Sequence, residues 1–160
     1  MNTILINDKK HKWIASYYFI FSILGLYSLT NMLLTGDLSA FILVLYLIIY
    51  FQLIMMLLGG VWYWHSRLQG AKILYWVSLS LIPVIVTPYI VYIPKWTTGL
   101  LLYGQSEPNT HFGIEFFISQ DITFKFLIGN VWGLGFNFIE YFFSQRFRRV
   151  IQEVKTHPQS

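Results

Sequence analysis

The residues of this chain best placed by type and spacing to do chemistry lie between positions 129 and 140. Gly129, Asn130, Gly133, Asn137 and Glu140 interrupt an otherwise apolar run from Phe124 to Phe143. At helical spacing Gly129, Gly133, Asn137 and Glu140 fall on nearly one face. That stripe reads small, small, amide, carboxylate. Small residues let helix backbones approach closely, and amides hydrogen-bond across helices. The stripe therefore predicts either tight helix packing or a polar path along one helix. Glu140 is the only acid inside the apolar runs. A carboxylate in hydrocarbon is costly, which makes Glu140 a candidate for proton or cation coupling. Its position near the end of the run equally suits an interfacial ion pair with Arg67 or Arg146. Gln52, midway along another apolar run, is a candidate for hydrogen bonding between helices.

Other chemistry is absent from the sequence pattern. His11, His65, His111 and His157 all lie outside the apolar runs, and none has metal-ligand spacing. With no cysteine, disulfides, thiolate metal sites and cysteine nucleophiles drop out together. There is no H-E-x-x-H, no P-loop and no dinucleotide fingerprint. The sequence thus carries no expected catalytic residue, metal or cofactor, and an enzyme acting alone is not expected.

The elements that must position these residues are membrane spans. The 160 residues are 56% hydrophobic, 19% aromatic and only 11% charged, against about 25% charged in soluble domains. Crossing a bilayer takes about 20 apolar residues. Four stretches qualify, at about 13–34, 38–64, 73–93 and 124–143. The expected fold is all-α: an integral membrane four-helix bundle spanning 13–143, with a basic N-terminus at 1–12 and a basic tail at 144–160. Thr35-Gly36-Asp37 makes an antiparallel hairpin of the first two spans. Pro83 and Pro88 should kink the third. The apolar connection 94–123 is too long to be structureless. It predicts two interfacial helices or a segment folded over the bundle mouth.

Charge sets the orientation. Nine of the eleven Lys and Arg residues precede span one, sit between spans two and three, or follow span four; only Lys95 and Lys125 lie on the other side. The positive-inside bias then puts both termini in the cytoplasm. The N-terminus reads as an uncleaved signal-anchor, and a bacterial inner membrane is the expected location. The net charge of +4 is explained by this topology and by anionic headgroups, without nucleic acid. Aromatic residues gather at the predicted interfaces, as at Trp13, Trp62, Tyr63 and Trp64.

In the tail, Phe147, Val150, Ile151 and Val154 recur at helical spacing among Arg146, Arg148, Arg149 and Lys155. This is a short amphipathic helix. Arg146, Phe147, Arg148, Arg149 and Ile151 are its candidates for contact with headgroups or a cytosolic partner. The functional expectation is a membrane interaction module working through protein partners: an anchor, a sensor, or an immunity or defence subunit. The alternative is a homo-oligomeric channel or small-solute transporter using the Gly/Asn/Glu stripe.

Overall fold

The computed structural model describes residues 9–35, 40–87, 91–93, 97–106, 111–118, 123–125 and 132–156. Four helices make up most of the described chain: α1 (Lys9–Thr35), α2 (Ala40–Trp64), α3 (Leu68–Leu81) and α4 (Phe138–Thr156). Between α3 and α4 lie six strands: β1 (Pro83–Val86), β2 (Val91–Ile93), β3 (Thr98–Ser106), β4 (His111–Ile118), β5 (Thr123–Lys125) and β6 (Trp132–Asn137). The chain divides into two compact units, one of residues up to Val77 together with Arg146 onward, the other from Ser78 to Gln145. The expected all-α architecture holds in part: the described chain is mostly helical, but a six-stranded antiparallel sheet stands between α3 and α4 in the sequence.

In the first unit, α1 and α2 form an antiparallel pair. Thr30 faces Tyr50 across a 3.3 Å hydroxyl contact, while His11 bonds to Tyr63 at the opposite end. Gly60 permits the close approach. A Cβ there would lie 3.2 Å from both the Ala15 carbonyl oxygen and the Phe19 nitrogen. His11–Thr35 and Leu43–Trp64 are long and apolar enough to cross a membrane. Both leave most of their apolar surface outward, including Tyr27, Leu34, Ile48 and Phe51, so neither resembles the core helix of a soluble domain.

Trp64 ends α2 in a tight reversal. Ser66 takes a left-handed φ of 54°. Its N–H bonds to the Tyr63 carbonyl at 2.9 Å, and the Arg67 N–H bonds to the Trp62 carbonyl at 2.9 Å. This pair of bonds is the Schellman ending, here with serine where glycine is usual. Gly70 then meets the end of α2: a Cβ on it would lie 2.7 Å from the Trp62 carbonyl carbon.

α3 has 14 residues, about 21 Å at about 1.5 Å per residue, too short to cross about 30 Å of hydrocarbon. The expected third span, 73–93, is not a continuous helix. Pro83 lacks an N–H and disfavours helix in the residue before it, so the helix stops at Leu81. Pro83 instead opens β1, a position strands tolerate. Pro88 lies outside the described residues.

The second unit holds the sheet, with strand order β4-β3-β6-β1-β2-β5. The expected interfacial segment 94–123 supplies the longest pairing, β3 with β4, running from Thr98↔Ile118 to Gln105↔His111. The fourth expected span, 124–143, is corrected as well. Its residues 132–137 are strand β6, and helix begins only at Phe138. The reason lies in Trp132-Gly-Leu-Gly-Phe136. Each glycine inside a helix costs about 1 kcal/mol, whereas alternating large and glycine residues suit a strand with one crowded face. A Cβ on Gly133 would lie 3.2 Å from the Gly104 carbonyl oxygen and 3.3 Å from Val86 Cβ.

Candidate functional site

Asn137 and Glu140, singled out in the sequence, are brought together at the junction of β6 and α4. The Asn137 N–H bonds to the Ile82 carbonyl at 2.9 Å, closing the end of the sheet. Its side-chain Oδ1 accepts from the N–H groups of Ile139 at 3.2 Å and Glu140 at 3.4 Å. Asn137 is thus the N-cap of α4, satisfying amides that have no helical partner. Glu140, in the first turn, places its carboxylate where the helix dipole favours negative charge. Thr97 donates its hydroxyl to Glu140 Oε1 at 2.7 Å. All three side chains are fully buried. Among the described residues, Asn137 Nδ2 is buried without a hydrogen-bond partner.

This cluster fixes where the sheet ends and α4 starts. It holds a carboxylate by a hydroxyl and by the helix terminus. Thr97 was not legible in the sequence; it stands 43 positions from Glu140, and only the sheet brings the two together.

The other sequence candidates are dispersed. Gly133 is in β6, so it shares no helix face with Asn137 and Glu140. Gly129 and Asn130 lie outside the described residues. Gln52 is half-buried on α2. Arg148 and Arg149 are exposed on α4, and Arg146 and Ile151 are half-buried. Phe147 is corrected from a contact residue to a core residue. It is fully buried, with ring centroids 5.7 Å from Tyr18 and 5.2 Å from Tyr63. The amphipathic helix expected from the tail is present, with Phe147 and Val150 buried and Arg148, Arg149, Gln152 and Glu153 exposed.

Tyr63 is the hub of this packing. It bonds to His11 Nδ1, and the two rings meet edge to face at 5.4 Å. The start of α1, the end of α2 and the second half of α4 therefore meet at one end of the first unit. Lys12, Arg148, Arg149 and Lys155 belong to these segments, and Arg67 and Lys72 follow the end of α2 in sequence. Nothing in the sequence pattern singled out the His11–Tyr63 pair.

The sheet supplies a different kind of surface. Directly paired residues point to the same face, and neighbours along a strand alternate. Register ties Phe116 to Leu100, Phe112 to Gly104, Gly104 to Leu134, Leu134 to Ile85 and Ile85 to Tyr92. One face thus carries Phe112, Ile114, Phe116, Leu100, Trp132, Leu134 and Ile85. All seven are exposed, Phe112 by 86% and Leu134 by 73%. The opposite face carries Gly99, Gly113, Gly133 and Gly135 with Val84 and Val86, and there Val84 is buried. No group of His, Asp and Glu side chains among the described residues could hold a metal ion. No protein-family model, no curated protein and no solved structure matches the chain.

Proposed function

We propose that this chain is a non-enzymatic membrane interaction module. The α1–α2 hairpin embeds it in the bilayer, and the apolar sheet face receives a protein partner. The observation that carries the reading is that exposed face, which joins aromatic and aliphatic side chains from four strands. The sheet is open: β4 and β5 stand at its two ends and do not pair with each other. In hydrocarbon, each unpaired backbone group at such an edge costs several kcal/mol. The sheet therefore belongs outside the hydrocarbon. There, a contiguous apolar face is a docking surface.

Among the described residues, no helix after Trp64 is both long and apolar enough to cross the bilayer: α3 is too short, and α4 carries Glu140, Arg146, Arg148, Arg149, Glu153 and Lys155 along its 19 residues. The described residues after Trp64 then stay on the side where α2 ends. The basic residues concentrated around the ends of α1, α2 and α4 favour the cytoplasm for that side, and a bacterial inner membrane suits this arrangement. An anchor, a sensor or an immunity-type subunit would work in this way, with a second copy or another protein covering the sheet. A polar path along one helix needed Gly133, Asn137 and Glu140 on a single face, and that support is gone with Gly133 in β6.

The test is native mass spectrometry of the tagged chain, extracted from its own membrane in nanodiscs. The reading expects a discrete complex, hetero- or homomeric. It also expects an Ile114→Ser, Leu134→Ser variant to remain membrane-inserted while losing that complex, since both side chains are exposed. A monomer with nothing bound, or a complex indifferent to the two substitutions, would overturn it.

A further inference from the structure

A groove with a cavity volume of about 440 Å³ runs between α1 and α2, near the end where the basic residues gather. That volume is within the usual range for small-molecule clefts, about 300–1,000 Å³. Its walls are apolar, with Ala15 and Phe19 on α1 and Gly60 and Trp64 on α2. Gly60 lines it where the two helices are close enough that a Cβ would lie 3.2 Å from the Ala15 carbonyl oxygen, so the α1 backbone itself forms part of the wall. Ser16 also lines it, but its hydroxyl is engaged with the Lys12 carbonyl at 2.9 Å. The interior therefore offers almost no polar contact to a ligand.

The rim is different. Lys12 lies one turn before Ser16, on the same face of α1 as Ala15, Ser16 and Phe19. Its Nζ stands 5.7 Å from the centre of the Trp64 ring, directly above a wall of the groove. His65 closes the same end and is exposed. No acidic residue lines the groove. The ligand that matches is long and apolar at one end and anionic at the other.

We infer that the α1–α2 groove is a binding site for one anionic phospholipid of the leaflet at the basic end. An acyl chain lies along Ala15, Phe19 and Gly60, and the phosphate sits beneath Lys12 and beside His65. The inference rests on the α1–α2 hairpin being embedded in the bilayer. A phospholipid is favoured over a helix of another chain because the charge is confined to the rim. A helix lying along the groove would meet an apolar interior without the cation being used.

The experiment is native mass spectrometry of the full chain released from bilayers of mixed phosphatidylglycerol and phosphatidylcholine. The expected result is one retained phosphatidylglycerol per chain, in preference to phosphatidylcholine. One cation near a membrane surface is worth about a fivefold change in binding. Lys12→Gln should therefore reduce the preference about fivefold while the chain still inserts. Ser16→Phe, which fills the groove and leaves the cation, should remove the retained lipid altogether. Equal retention of both lipids, or retention unchanged in both variants, would overturn the site. So would a dimer that carries no lipid and is broken by Ser16→Phe. Alkaline extraction of the same membranes separates the two levels. If the chain washes off, the embedding itself fails; if it stays but shows no lipid preference, only the groove assignment fails.

Discussion

Asn137 offers the sharpest test of the junction between sheet and helix. Its Oδ1 caps the amides of Ile139 and Glu140, while its Nδ2 is buried without a partner among the described residues. Replacing it therefore has two opposing effects. Losing an N-cap acceptor costs about 1 kcal/mol. Removing a buried unsatisfied donor returns about 1–3 kcal/mol. Comparing Asn137→Ser with Asn137→Ala cancels the second effect, because both lack the amide nitrogen. The serine variant keeps an acceptor for the first turn of α4, and the alanine variant has none. The serine variant should be the more stable by about 1 kcal/mol. Amide hydrogen exchange at Ile139 and Glu140 should then be about fivefold faster in the alanine variant. If residue 137 instead sat inside a continuous helix from 124 to 143, those amides would bond to carbonyls of the preceding turn. Both variants would then protect them equally. Matching exchange rates in the two variants would refute the cap and the β6–α4 boundary with it.

Further expectations follow from local geometry. Ser66→Gly relieves a left-handed residue and should stabilise the first unit by about 1 kcal/mol in thermal unfolding. Gly70→Ala pushes a methyl group against the Trp62 backbone and should destabilise by about 1–3 kcal/mol in the same assay. Thr97→Val removes the hydroxyl that donates to a buried carboxylate, a loss of about 1.5–3 kcal/mol in denaturant unfolding. A Thr97→Ser variant, which keeps the donor, should recover most of it.

The first two helices were legible because their signal is length and hydropathy, both local. The tail helix was legible because its apolar residues recur at 3.6-residue spacing. The sheet was missed although its signal was present. Phe112, Ile114 and Phe116 alternate with Gly113 and Glu115, and Trp132, Leu134 and Phe136 alternate with Gly133 and Gly135. In so apolar a chain, a 20-residue window averages out this two-residue period, and glycine four positions from glycine passes for a helix-packing stripe. Pro83 carried the other clue, since it ends a helix as readily as it kinks one. Asn137 and Glu140 were recognised as residues that break the pattern, but their shared role at a helix start depends on where the strand ends. Thr97 and the His11–Tyr63 pair depend on contacts 43 and 52 residues apart, which no local pattern encodes.

The central claim is a two-span anchor with everything after α2 on one side of the bilayer. Because the chain contains no cysteine, single cysteines can report its topology without background. Asp37→Cys, Asn109→Cys and Ser160→Cys would each be labelled in sealed vesicles with a membrane-impermeant maleimide. The account predicts that positions 109 and 160 label from the same side and position 37 from the other. Labelling of 109 together with 37, opposite 160, would mean that the chain crosses the membrane four times and would contradict the account.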